Sequence, residues 1–249
     1  KKKIPLVVHF HCDVKYWYQR KIIQYFLRKI LNLTDCCIVL CSSSMEHLRR
    51  VYNKQSVMMP NYIELNNIKN SKKIEKSIRT VIYIGRVSKA KGCMELFELA
   101  KRFPNKEFLL VGKTFLDLSG IEIPSNVKML GEKNHVQVLK LLERADAFLF
   151  PSHSEGFSIA LTEAMANGLP SIVTDVGANR DMISGGAGIV VPVGDVDKME
   201  SALIAIADQA VRQEMSNAAL RKTKREYAID CVLKQIISLY QGIINNESK

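Results

Sequence analysis

Two glutamates, Glu155 and Glu163, stand eight positions apart in the run SHSEGFSIALTEAMANGLP, and Gly156 follows the first of them. Carboxylates so placed suit one of two tasks. They can form the acid/base pair of a hydrolase, whose carboxyl groups sit roughly 5–9.5 Å apart, or they can accept hydrogen bonds from ligand hydroxyls. Eight helical steps advance a chain about 12 Å, which favours two grips on one long ligand. A loop residue at Glu155 can still fold back, so the pair stays open. A solvated glutamate and a first-turn glutamate favoured by the helix dipole would leave the same trace. The second chemical pair is Arg86 and Lys91 in GRVSKAKG, a loop with glycine at each end. Arginine grips a diphosphate bidentately and lysine meets it as a point charge. The spacing is neither a Walker loop nor a dinucleotide fingerprint.

These groups need elements to hold them. Ala147–Phe150 reads as an apolar strand closed by Pro151, and a polar loop, Ser152–Glu155, leads to Gly156. A helix is expected over Ser158–Asn167, stopped by Gly168–Leu169–Pro170, with a buried strand at Ser171–Thr174 after it. A strand, a glycine turn and a helix start offer the N–H groups of Gly156, Phe157 and Ser158 to an anion. The strand beginning at Thr80 exits through GRVSKAKG, before a helix at about Cys93–Arg102. That puts Arg86 and Lys91 where open α/β sheets bind ligands. Strands at Glu107–Val111 and Val127–Leu130 exit at Gly112 and Gly131 toward the same crevice, with Lys133 nearby. Val136–Arg144 and the residues after the cap Asp195 read as helices, and two more, about Arg212–Tyr227 and Cys231–Ile244, finish the chain.

The front of the chain reads as a smaller α/β unit. Ile4–His11 is expected as a buried parallel strand. His11 at its end is the best candidate to reach a substrate across the cleft, and His9 lies on the same face. His47, His135 and His153 belong to no evident constellation. A helix over Lys15–Leu33 carries Ile22, Ile23, Phe26, Leu27, Ile30 and Leu31 at helical spacing, with Tyr16, Trp17 and Tyr18 at its entrance. It suits packing on a sheet or, with Arg20, Lys21, Arg28 and Lys29 on its other face, a bilayer surface. Cys36–Cys41 and Ser56–Met59 are further strands, with a helix to about Tyr52 capped from Ser42–Ser44. Asn66–Ser77 is the polar linker.

Composition sets the bounds. The formal net charge is +11, and residues 1–78, with 15 Lys+Arg against 5 Asp+Glu, hold +10 of it. A basic front half suits an anionic lipid surface; no zinc-finger or aromatic RNP pattern supports nucleic acid. The six cysteines show no CxxC, which points to a reduced, cytoplasmic setting. Neither a signal peptide nor an apolar run near ~18 residues is read in the sequence. The sequence starts at Lys1 without methionine, as a fragment would.

GRVSKAKG at Gly85–Gly92, EGFSIALTEAMANGLP at Glu155–Pro170 and GIVVPVGD at Gly188–Asp195 together resemble family 4 of the glycosyltransferases, from about Thr80 to Ala207. The resemblance implies an α/β chain of the GT-B type, with two Rossmann-like doubly wound domains, the first incomplete. The expected division is 1–66 for the partial acceptor-side domain, 67–78 for the linker, 79–228 for the nucleotide-sugar domain and 229–249 for a helix crossing back. It implies a retaining hexosyltransferase that uses a UDP- or GDP-sugar and no metal. Arg86 and Lys91 would hold the donor's pyrophosphate, with help from the N–H groups of Gly156, Phe157 and Ser158. Glu163 would accept the ribose hydroxyls and Glu155 the sugar's, while the loops at Gly112 and Gly131 would cradle the base. Lys133 is either a base contact or a surface lysine. The implied partners are a nucleotide-sugar donor, a glycan or lipid-linked acceptor in cell-surface polysaccharide or lipopolysaccharide synthesis, and the inner face of the membrane as a peripheral contact. A truncated nucleotide-sugar-binding module is one rival reading. A UDP-N-acetylhexosamine epimerase is another, and the paired glutamates argue against it.

Overall fold

The computed structural model describes residues 4–14, 21–64, 66, 68–69 and 71–246. The expected aromatic entrance of the first helix, Tyr16–Tyr18, and Arg20 lie outside them.

The larger sheet explains most of the core. Its strands are β4 (Thr80–Ile84), β5 (Glu107–Val111), β6 (Val127–Gly131), β7 (Ala147–Phe150), β8 (Ser171–Thr174) and β9 (Gly188–Val191), all parallel. β7 and β8 are buried along their whole length, as expected of apolar strands covered on both faces. The spatial order is β6-β5-β4-β7-β8-β9. The chain therefore winds outward from β4 in one direction, then returns to β7 and winds outward in the other. The exits of β4 and β7 flank that reversal, which is where an open α/β sheet leaves a crevice.

Helices α3 (Cys93–Arg102), α4 (His135–Arg144), α5 (Ile159–Ala166), α6 (Asn179–Met182), α7 (Val196–Ala205) and α8 (Gln209–Lys222) follow these strands in chain order, with α1 and α2 belonging to the front unit. α5 is apolar nearly all round and buries Leu161, Thr162, Ala164, Met165 and Ala166, so its position is fixed by packing rather than by an amphipathic stripe.

The smaller unit is a parallel sheet of β1 (Val7–His9), β2 (Cys36–Val39) and β3 (Ser56–Met58) in that spatial order. α1, described over Lys21–Leu33, and α2 (Ser42–Tyr52) complete it. β1 is shorter than the expected Ile4–His11 and only half-buried. Leu27 and Leu31 of α1 pack with Phe10, Val14, Cys37, Val39 and Leu48. Ile22, Phe26 and Ile30, which periodicity had placed on the packed face, are instead 67%, 57% and 46% exposed. The apolar arc of α1 is wider than the sheet beneath it covers.

Two strands of chain join the units. Ile63 accepts from Ile229 N–H and donates to the Tyr227 carbonyl at 2.9 and 2.7 Å, tying the outgoing segment to the returning one. After a π-helical stretch, Thr223–Tyr227, helix α9 (Ile229–Asn246) turns back, and Val232, Ile236 and Leu239 pack against Val7, Ile38 and Met59 of the small unit.

The polar stretch before Thr80 is strapped down rather than loose. Lys72 donates to the Glu143 carbonyl at the end of α4 at 3.0 Å, and burial lowers its ammonium pKa to about 8. Arg212, fully buried, donates to the carbonyls of Ile206, Ala207 and Glu75 at 2.6–2.7 Å. A buried guanidinium without a carboxylate is tolerable when several carbonyls take its protons.

Candidate active site

The crevice is built by pressing the exits of β4 and β7 together. Below the β4 exit, buried Tyr83 donates its hydroxyl to the Arg86 carbonyl at 2.8 Å. Lys89–Lys91 then makes one 3-10 turn, and Gly92 starts α3 with φ +73°. A Cβ at Gly92 would lie 2.0 Å from the Pro151 carbonyl oxygen, so only glycine lets the two exits meet. His153 N–H donates to the Ala90 carbonyl at 3.0 Å, a second clasp between the same loops.

That contact sets Lys91 against the glutamate loop. Its ammonium donates to the Ser154 carbonyl at 3.1 Å and forms an ion pair with Glu155. Both side chains are largely sheltered, at 16% and 12% exposure. Arg86 stands exposed on the same loop and pairs with no carboxylate among the described residues. The N–H groups of Gly156, Phe157 and Ser158 donate to no protein acceptor among the described residues. Ser158 caps α5 by accepting from Leu161 N–H at 3.1 Å, and Phe157 meets Tyr227 edge-on at 5.7 Å.

The small unit closes over this point. A Cβ on Gly156 would come within 2.7 Å of the His11 carbonyl oxygen. His11 is thus brought to the glutamate loop, its ring 4.1 Å from that of His9. Burial and the neighbouring His11 hold the His9 pKa below its ordinary value. From the other side of the cleft Asp181 accepts from Ser42 N–H and Oγ–H at 2.7 and 2.8 Å, capping α2 with a carboxylate from the large unit.

Glu163 lies one helical turn into α5, with its side chain 13% exposed. Its Oε1 is 3.0 Å from Nε2 of His135, the first residue of α4. Burial pushes the Glu163 carboxyl above the usual range, and His135 opposes that shift. His135 is presented by a capping box: Asn134 accepts from Gln137 N–H at 2.9 Å, and the Gln137 side chain accepts from Asn134 N–H at 3.1 Å. Glu155 and Glu163 therefore have separate cationic or imidazole partners, Lys91 and His135, and do not pair with each other.

Gly112 and Gly131 leave their strands at the same edge as Gly85; Gly112 N–H donates to the Gly131 carbonyl at 2.9 Å. Lys133 is exposed and donates to the carbonyl of Leu130, three residues back. Sequence reading missed the partners of two histidines, since His135 meets Glu163 and His153 meets Glu95 of α3 at 2.6 Å. Only a fold brings residues 28 and 58 positions apart together. The chain does contain one Asp-x-Asp, Asp195–Asp197, but α7 uses it. Asp195 accepts from Lys198 N–H at 2.9 Å, and Asp197 pairs with Arg102 at 2.6 Å. No described helix is long and apolar enough to cross a membrane.

Comparison with known proteins agrees with this architecture. The chain is 25% identical over 255 residues to the phosphatidyl-myo-inositol mannosyltransferase of Mycolicibacterium smegmatis, covering 96% of this chain but 65% of that protein. It is 30% identical over 151 residues to a GDP-mannose-dependent monoacylated alpha-(1-6)-phosphatidylinositol monomannoside mannosyltransferase of Corynebacterium glutamicum, covering 56% and 40%. The solved structure of Anabaena Alr3699/HepE in complex with UDP superposes with a TM-score of 0.83 at 16% identity, over 96% of this chain and 72% of that one. The fold is of the GT-B type, with part of the first domain present. The family model for glycosyl transferases group 1 matches residues 65–222, and the chain belongs to that family.

Proposed function

We propose that this chain carries the donor side of a retaining, metal-independent transferase, which moves a hexose from a UDP- or GDP-sugar to a glycan or lipid-linked acceptor. The observation that carries the reading is the Lys91–Glu155 pair beside three successive N–H groups, Gly156–Ser158, without an acceptor among the described residues, at the sheet's reversal point. The relatives named as mannosyltransferases and the UDP-bound neighbour support the class of donor.

In this mechanism the bond between the sugar's anomeric carbon and the β-phosphate oxygen breaks, and a bond from the acceptor hydroxyl oxygen forms. The acceptor's proton goes to the departing phosphate oxygen, so attack comes from the leaving group's own face and configuration is retained. Arg86, Lys91 and the three N–H groups meet the growing phosphate charge; a single preorganised donor of this kind is worth about 2.7–4 kcal/mol. Glu163 takes the two ribose hydroxyls and Glu155 those of the sugar, as carboxylates accept from vicinal diols. His11 reaches the sugar or acceptor from the small unit. Arg86 and Lys91 take the part a divalent metal plays elsewhere. The exposed Ile22, Phe26 and Ile30 of α1, beside Lys21, Arg28 and Lys29, suit peripheral contact with anionic lipid at the inner, cytoplasmic face of a membrane.

Incubation with isotope-labelled UDP- and GDP-hexoses, in chelator, with glycan and lipid-linked acceptors tests this directly. The expected product keeps the donor's anomeric configuration by proton NMR. An inverted product, loss of turnover in chelator, an epimerised free nucleotide-sugar, or binding without any turnover would each overturn part or all of it.

A further inference from the structure

His135, which stands 3.0 Å from Glu163, has no part in the reaction as described so far. Glu163 is a carboxylate with only 13% of its side chain exposed, sitting on a helix that is buried nearly all round. Such a group resists ionisation, and a protonated carboxyl is a poor acceptor for a ribose diol. Something has to keep it charged. The elements packed around α5 are α4, α8, the π-helical stretch, β7 and β8. Of their other charged groups, Glu143 pairs with Lys69, Lys222 and Arg225 with Glu226, and Arg212 with carbonyls, while Lys140, Arg144, Glu214, Arg221 and Lys224 are exposed to solvent. Among the described residues His135 is the group whose charge and hydrogen bond act on Glu163. Its ring is 54% exposed, and its place is fixed by the capping box at Asn134 and Gln137.

We propose that His135 is a positioning residue for the donor: it holds Glu163 by Oε1, keeps it ionised, and leaves Oε2 and the remaining lone pairs to the ribose. This rests on the reading of Glu163 as the ribose grip. His135 does not touch the reacting atoms; it acts through Glu163.

The sign follows from linkage. Donor binding needs ionised Glu163, so affinity falls as pH drops through the pKa of that carboxyl. His135 holds this pKa down; removing it lets burial raise the pKa further, and the acid limb of binding moves to higher pH. The pyrophosphate of a nucleotide-sugar is fully ionised across this range, so the ligand adds no titration of its own.

The test is calorimetric titration of the chain with UDP-glucose and GDP-mannose from pH 5 to 8.5, for wild type, His135→Ala, His135→Gln and Glu163→Gln. The expected result is an acid limb about one pH unit higher in His135→Ala, with up to about tenfold weaker binding than wild type on that limb and a loss that shrinks toward the alkaline end of the range. His135→Gln, which keeps a neutral hydrogen-bond donor, should bind like wild type at pH 8 and show an intermediate limb. If Glu163→Gln binds as tightly as wild type, or wild type binds neither sugar nucleotide, the ribose reading itself fails. If Glu163→Gln is weakened while His135→Ala keeps the wild-type limb, the ribose reading stands and the role of His135 is wrong.

Discussion

Lys91→Ala is expected to lower kcat/KM for sugar transfer by about 10²–10³-fold, the range found when one preorganised donor to a developing anion is removed. Two effects add. The pyrophosphate loses a cation, and the charge of Glu155, sheltered to 12% exposure, is no longer offset by an ammonium on the neighbouring loop. That carboxylate then repels an anionic ligand in a site where water screens it poorly. Lys91→Arg keeps the charge but not the compact ammonium, and should recover part of the loss. Steady-state kinetics with the donor varied will separate the two contributions. Loss in KM alone would mean uniform binding, and loss in kcat an interaction made at the transition state. Activity within twofold of wild type would remove Lys91 from the mechanism.

The largest effect on stability should come from Gly92→Ala. Gly92 has φ +73°, and its new Cβ would sit 2.0 Å from the Pro151 carbonyl oxygen and 2.6 Å from the Pro151 carbonyl carbon, both backbone atoms. Neither loop can yield without parting β4 from β7. Gly120 is the matched control: φ is again +73°, but nothing lies within 4 Å of its Cβ position. Gly120→Ala should cost only the left-handed backbone term of about 1–2 kcal/mol. Gly92→Ala should cost about 3 kcal/mol or more, lowering Tm by roughly 6–12 °C for a chain of this size. Thermal unfolding followed by circular dichroism measures both. Equal losses would show that the two exits are not pressed together.

Much of this arrangement was legible in the residues. β4, β5, β7 and β8 are continuous apolar runs ending in Gly, Pro or polar residues, and strands buried on both faces leave that trace. Ser158 before α5 and Asp195 before α7 announce their helices, because their side chains are needed as caps. The grouping of Lys91 with Glu155 was implied by the family resemblance, and parallel strands, whose exits share one edge, give its physical reason. Periodicity fails where the question is what lies opposite. It identified the apolar arc of α1 but not that Ile22, Phe26 and Ile30 remain exposed. Nor does a lone histidine carry any mark of its partner, so His135 and His153 looked unattached. Polar composition marked Asn66–Ser77 as a linker but carried no sign that Lys72 and the carbonyl of Glu75 are bound to the large unit.

A crystal structure of the chain with a bound nucleotide-sugar tests the central claim most directly. The account predicts that the Lys91 ammonium leaves Glu155 for a pyrophosphate oxygen at about 2.8 Å. Arg86 should lie on the same diphosphate, Glu163 should accept both ribose hydroxyls, and Glu155 should face the sugar. A nucleotide bound elsewhere, with Lys91 still on Glu155 and both glutamates away from the ligand, would contradict it.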